Sequence, residues 1–162
     1  MSSEARASDD PATPGALAAL TTLIHAWAER ERRENELLVN VEYHDDDRRW
    51  IVRMRGEEKT LIAVWLTLRQ RTLHYESQFM PAPEENIEAC YEYLLRANER
   101  LFAMRFAIGS EDAVYLVGQM PLAALNDAEL DRIVGSMYAY SEQYFPLAMG
   151  IGYASKYRRR QG

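Results

Sequence analysis

The sequence has one cysteine, Cys90, among 162 residues. A single thiol cannot form an internal disulfide or a Cys-only metal site, and it fits a reducing compartment. No apolar run approaches the roughly 18 residues that a membrane span needs. Residues 1–14 lack the basic-then-apolar order of a signal peptide. We therefore expect a cytoplasmic protein that has no membrane partner.

Motifs that carry chemistry are also missing. There is no phosphate-binding G-x-x-x-x-G-K-[ST] loop and no G-x-S-x-G elbow. The histidines His25, His44 and His74 lack the spacing that places two ligands on one helix face, and Asp45–Asp47 lacks the ligand order of a calcium loop. We expect no enzymatic activity, no metal and no cofactor. A site assembled from residues far apart in sequence stays open as an alternative.

The charge balance is mildly acidic, with a formal net charge of −6. Such a chain has no general attraction to nucleic acid. The exception is the C-terminal end, where Lys156, Arg158, Arg159 and Arg160 could neutralise phosphates in a salt-sensitive way. We favour the simpler interpretation of a solubilising terminus, because no aromatic platform accompanies these residues. A nucleic-acid-associated regulator is therefore the alternative function.

The length fits one domain, which at this size buries roughly 68–70% of its unfolded-chain surface. Residues 1–13 are polar and contain proline, which is typical of a flexible tail. We expect a single domain over residues 14–147. Residues 148–162 are predicted to form a C-terminal tail with a basic end.

Start signals predict the first and last helices. Thr13 can cap a helix whose first residue is Pro14. Asn126 with Glu129 three residues later has the pattern of a capping box. Pro146 is expected to end or kink the last helix, because proline lacks the amide donor that the helix needs.

Alternating apolar residues predict the strands between these helices. Residues 50–79 read as a three-stranded meander, with 37–43 as a further edge strand. After a central helix, two more strands are predicted at 102–108 and 114–120. The order α-β-β-β-α-β-β-α favours an α+β fold, in which a mainly antiparallel sheet has helices packed mostly on one face.

The strand at 60–68 is apolar on both faces, and this carries the functional hypothesis. Leu61 and Trp65 point away from the face that meets the helices, and Tyr115 and Val117 can share that second face. An exposed apolar patch marks an interaction site. We therefore predict that these four residues bind a protein partner. The alternative is that the first helix or a tail covers them.

The stretch 112–131, with Pro-Leu-Ala-Ala-Leu at 121–125 followed by a capped helix, resembles the YbjN-domain family of bacterial proteins. The resemblance extends over most of residues 15–147. It implies a fold similar to type III secretion chaperones, which are dimeric, lack catalytic residues and hold extended segments of other proteins. The expected function is a chaperone-like or regulatory protein-binding module that forms a homodimer.

Overall fold

Six strands and three α-helices make up the structure, a computed structural model that describes residues 10–159. Most of the predicted N-terminal tail, residues 1–9, lies outside the described residues. The elements in chain order are α1 (Pro14–Glu34), β1 (Leu38–His44), β2 (Arg49–Arg55), β3 (Leu61–Leu68), β4 (Thr72–Met80), α2 (Ile87–Asn98), β5 (Arg105–Ile108), β6 (Val114–Pro121) and α3 (Asp127–Gly152).

The strands form one antiparallel sheet in the order β1-β2-β3-β4-β6-β5. The predicted edge strand is present as β1, and the predicted strand at 102–108 is shorter because it begins only at Arg105. Phe102 lies in the preceding loop and is exposed. The α+β architecture predicted from the sequence is confirmed.

The core lies between the helices and one face of the sheet. Alternation along β3 places Ile62, Val64 and Leu66 on this inner face, where all three are fully buried. Leu61 and Trp65 on the opposite side stay 43% and 37% exposed. The helices therefore cover one face, and we call the uncovered side the outer face.

Helix α1 begins as predicted, since Thr13 Oγ1 accepts a hydrogen bond from the Ala16 amide at 3.1 Å. Its buried stripe includes Ile24 and Trp27. The indole of Trp27 donates to Asp131 Oδ1 in α3 at 2.8 Å, so a fully buried donor is satisfied and the two helices are joined.

Helix α3 begins as predicted and ends later than predicted. Asn126 Oδ1 accepts from the Glu129 amide at 2.9 Å. Of the two effects predicted for Pro146, an end or a kink, the helix end is excluded because the helix continues to Gly152. Ala148, Met149 and Ile151, which follow the proline, pack in or against the core, and this favours the helix beyond it. The Gly152 carbonyl then accepts from the amides at 84 and 85, which satisfies the helix end.

A β-bulge near the end of β4 interrupts strand pairing in the middle of the sheet. The pairing of β4 with β6 shifts by one residue between Gln78 and Met80, and Phe79 and Met80 are both buried although they are adjacent. A bulge bends its strand and ends regular pairing. The pairing of β4 with β3 stops at Trp65 opposite Glu76. We call the gap between residues 61–64 of β3 and 77–80 of β4 the fork.

Glu142 in α3 holds the turn between β2 and β3. Its carboxylate accepts hydrogen bonds from the amides of Glu57, Glu58 and Lys59 at 2.7, 3.0 and 3.0 Å. A charged acceptor strengthens each bond. The turn at the open end of the fork is therefore fixed to the helix beneath the sheet.

Replacing this carboxylate should destabilise the domain. We expect Glu142→Ala to lower the free energy of unfolding by about 1–3 kcal/mol, because three amides lose their acceptor. Glu142→Gln keeps one acceptor oxygen and should cost less. Urea denaturation gives the values, with the exposed neighbour changed in Gln143→Ala as control. A Glu142→Ala loss no larger than that of the control would contradict this role.

Candidate functional site

The four residues predicted to bind a partner lie together on the outer face. Leu61 and Trp65 belong to β3, Tyr115 and Val117 belong to β6, and β4 runs between them. Trp65 is opposite Glu76, which is in turn opposite Val117. All four line one shallow groove of about 910 Å³. Helix α1 and the described C-terminal residues leave Trp65 37% exposed, and the tail named in the covered-face alternative falls mostly on residues 1–9, outside the described residues.

An arginine holds the Trp65 ring in place. The guanidinium of Arg49 lies 4.9 Å from the ring centroid, and Arg49 Nε donates to Thr67 Oγ1 at 3.0 Å. A cation over an indole face is attracted to the ring. The tryptophan is therefore positioned before any partner arrives, and part of its apolar surface stays open to solvent.

Polar side chains border this apolar centre. Arg53 donates to Glu42 at 2.8 Å, and His74 Nε2 lies 3.8 Å from a carboxylate oxygen of Glu76. Burial lowers the pKa of His74, and the Glu76 carboxylate acts in the opposite direction. The imidazole is therefore uncharged at neutral pH. The groove combines an apolar centre with a polar border, as protein-binding surfaces do.

Lys59 stands at the fork end of the groove. Its ammonium donates to the Leu61 carbonyl at 2.9 Å and lies 5.8 Å from the Phe145 ring centroid. Burial lowers the pKa of Lys59, while the more distant Glu142 raises it. Within residues 10–159, no carboxylate lies within ion-pair distance of this ammonium. The Lys59 ammonium is thus partly desolvated and makes no ion pair, although the Glu142 carboxylate acts on it at longer range.

The sequence did not point to Lys59 or Phe145. Lys59 reads as a turn residue, and Phe145 as part of the apolar stripe of a helix. Both reach the groove only because the β3–β4 pairing opens above α3. The sequence feature that could have indicated Lys59 is weak: it is a lysine just before an apolar strand.

The basic residues near the C-terminus contact the domain. We call residues 153–159 the clasp. Lys156 pairs with Glu84 at 2.6 Å, and Arg159 pairs with Glu58 at 2.6 Å. Arg158 donates to the carbonyl of Tyr157, and Arg160 lies outside the described residues. Residues 148–152, predicted to begin a tail, are the last part of α3.

The clasp spans the open end of the fork. Glu58 belongs to the turn before β3, whereas Glu84 follows β4. Tyr157 lies between these anchors, with its ring 5.9 Å from the Phe145 ring. The clasp therefore connects the two sides of the fork at their open end.

The clasp should loosen in acid. Hydrogen bonding to Arg159 lowers the pKa of Glu58, and bonding to Ser155 lowers that of Glu85. A lowered carboxyl pKa means that the contact is fully present above the ordinary value of about 4.3 and is lost as pH falls through the lowered value. We expect the heteronuclear NOE of residues 155–159 to be high at pH 6.5 and to fall at pH 3.

Substitution tests the same contact at constant pH. Glu58→Gln should raise the rate of tryptic cleavage after Arg158 and Arg159 several-fold, because an exposed ion pair is lost. Glu57→Gln is the matched control, since its exposed side chain lies next to Glu58. Equal cleavage of both variants would show that the pair does not hold the clasp.

Two kinds of site are not found where the structure describes the chain. Residues 10–159 contain no group of three or more His, Cys, Asp or Glu side chains that could hold a metal ion. No helix in this range has both the length and the apolar composition to cross a membrane. Cys90 is buried beside Ala148, and burial raises the pKa of its thiol, as expected for a packing residue.

Solved structures share this fold. The chain is similar to a structure of the ExsC–ExsE complex, with a TM-score of 0.59 and 18% identity over 82% of this chain and 95% of that one. It is also similar to the Yersinia pestis type III secretion chaperone SycH in complex with a fragment of YscM2, with a TM-score of 0.53 and 16% identity over 76% of this chain and 97% of that one. The type III secretion chaperone-like fold predicted from the resemblance is confirmed.

Sequence relatives come from mycobacteria. An uncharacterized protein of Mycobacterium tuberculosis is 32% identical over 67% of this chain, and one of Mycobacterium leprae is 30% identical over 68%. The match spans 60% of the length of these relatives. Residues 22–148 match the family YbjN, described as "Putative bacterial sensory transduction regulator". With most of its length matched, the chain belongs to the YbjN family.

Proposed function

We propose that this domain is a non-enzymatic protein-binding module, chaperone-like or regulatory, that holds its partner on the outer-face groove. The observation that carries the proposal is the open groove with Trp65 at its centre, 37% exposed and positioned by Arg49. A large aromatic side chain that stays partly exposed on an otherwise well-packed sheet contributes binding energy when a partner buries the rest of it.

The residues of the groove suit tight binding. Tryptophan, tyrosine and arginine are the types most often found at energetic hot spots, and the groove has Trp65, Tyr115 and Arg53. Burying a fully exposed large apolar side chain contributes about 1.5–3 kcal/mol, and Trp65, of which 37% is exposed, offers about a third of that. Tight binding therefore also needs the polar residues of the groove and a partner segment that is readily ordered.

The comparisons support the same kind of function. Each of the two solved structures that share this fold contains a second protein, ExsE in one case and a fragment of YscM2 in the other. The family description names a regulator of sensory transduction. We extend this general role, binding of another protein in a regulatory or chaperone setting, to the present chain.

The nucleic-acid alternative has no structural observation in its favour. Lys156 and Arg159 are engaged by carboxylates, so phosphates would have to displace those partners. An active site assembled from distant residues likewise lacks support, because the imidazole of His74 faces Glu76 rather than a hydroxyl of the groove such as that of Ser110.

Capture experiments test the proposed surface. The tagged full chain is used as bait in native lysate at moderate salt, and Trp65→Asp is compared with Phe102→Asp, a more exposed aromatic site outside the groove. We expect Trp65→Asp to reduce capture of specific proteins by at least tenfold, and Phe102→Asp to leave it unchanged. Circular dichroism verifies that both variants fold. Equal capture by native protein and Trp65→Asp would refute the groove as the binding surface, and salt-sensitive recovery of nucleic acid would favour the alternative.

We also propose that the protein is a homodimer, joined through α2. Ile87, Tyr91 and Leu95 recur every four residues on this helix and form a stripe along its surface, with Ile87 48% and Leu95 68% exposed. An apolar helix stripe left in solvent is suited to a symmetric contact.

Light scattering after gel filtration tests the dimer. We expect the native chain to elute at twice the 18.7 kDa monomer mass, and Leu95→Asp to elute as a monomer because a charge is placed in an apolar contact. Glu92→Asp on the same helix is the control. A monomeric native protein at micromolar concentration would contradict the proposal.

A further inference from the structure

Both outer edges of the sheet are blocked against a further strand. At the β5 edge, the Asn98 side chain accepts from the Phe106 amide at 2.7 Å and donates to its carbonyl at 3.2 Å. At the β1 edge, Arg32 donates to the Val41 carbonyl at 2.7 Å, and a register shift lies between Leu38 and Asn40. Side chains and bulges of this kind prevent edge-to-edge pairing.

The fork is an edge of a different kind, inside the sheet. The Arg69 amide donates to the Thr72 carbonyl at 2.9 Å, so alternate residues back along β3 from Arg69 direct their backbone groups toward β4. Leu61 and Ala63 belong to this set. Pairing with β4 ends at Trp65, so these backbone groups face the fork. The Lys59 ammonium donates to the Leu61 carbonyl, whereas the donor and acceptor of Ala63 have no residue of β4 opposite them.

The surroundings of the fork favour one kind of occupant. Phe79, Met80 and Phe145 give it apolar walls. The Lys59 ammonium sits at the same place without a carboxylate, and a partly buried cation gains most from an anion that shares its site. Its only cationic neighbour along the groove, Arg53, already pairs with Glu42. At the fork end of the groove the charge without an ion pair is therefore positive, whereas Glu76 places a negative charge nearer Trp65.

We propose that the fork receives an extended segment of a partner protein, which pairs through its backbone with Ala63 of β3 and places an acidic side chain against Lys59. This inference rests on the proposed function and specifies its partner chemistry. A strand has the free donors and acceptors that Ala63 requires, whereas a helix has used its own. Successive side chains of such a segment alternate between the fork interior and the Trp65 side of the groove.

An octapeptide array probes this directly. Random acetylated and amidated octapeptides are incubated with the full-length protein, with Lys59→Gln and with Trp65→Asp. Lys156→Gln serves as the matched control, since it removes an exposed lysine that pairs with Glu84 outside the groove. We expect the native protein to select alternating apolar peptides with Asp or Glu at one fixed position. Lys59→Gln should weaken binding of these peptides about tenfold and lose the acidic preference, and Lys156→Gln should keep both.

Backbone pairing is tested with the best acidic peptide. Methylating single amide nitrogens removes one donor at a time without changing the side chains. We expect a loss of about tenfold at one position only, because the Leu61 carbonyl is taken by Lys59 and Trp65 pairs with β4, so Ala63 alone can accept a peptide amide. Equal effects at all positions, or at none, would overturn the backbone pairing.

The outcomes separate the two proposals. Selected peptides that lose binding in Trp65→Asp but show no acidic preference, or no change in Lys59→Gln, would overturn the fork and leave the groove standing. Peptides that depend on Lys59 but not on Trp65 would support the fork and contradict the groove. If the native protein selects no peptide above background, the fork proposal is refuted, and the groove is then judged by its capture experiment.

Discussion

The bulge at Phe79 is the constraint on which the candidate site depends. It turns two successive side chains, Phe79 and Met80, into the core, and this carries the end of β4 away from β3. Without it the β3–β4 pairing would continue past Trp65, and Lys59 and Phe145 would lie beneath a closed sheet. A regular strand would bury Phe79 alone, so the bulge adds the burial of Met80, which contributes about 1.5–3 kcal/mol and offsets part of the cost of the backbone hydrogen bonds that β3 and β4 do not form.

Helix α3 supports the fork from below. One stretch of this helix supplies the Glu142 carboxylate for the β2–β3 turn, the Phe145 ring for the floor of the fork, and the Gly152 carbonyl for the loop after β4. Pro146 lies between them. Since proline has no amide hydrogen, the helix gives up one internal bond there, yet it continues because Ala148 is buried beside Cys90. The two sides of the fork are thus fixed to one rigid element although they are not bonded to each other.

Local signals in the sequence predicted much of the fold. Thr13 and Asn126 cap helices as expected, because capping involves residues only three positions apart. Alternation alone placed Trp65 and Val117 on the same side of the sheet. The errors arose where distant contacts decide. Pro146 was expected to end or kink α3; the helix does not end there, and the residues that follow pack against parts of the chain far away in sequence. The bulge, the position of Lys59 and the ion pairs of the clasp all depend on which strands become neighbours, and periodicity does not contain that information.

The clasp and the start of α1 lie near opposite ends of β3. The Ala12 amide donates to the Gln70 carbonyl in the β3–β4 turn, whereas Arg159 pairs with Glu58 just before β3 begins. These two ends of the described chain are therefore separated by the length of an eight-residue strand, roughly 26 Å. Residue 10 therefore lies toward the closed end of the fork and residue 159 lies at its open end. A fluorophore attached at Asp10 would report on the closed end, whereas one attached at Arg159 would report on the open end and would disturb the ion pair with Glu58.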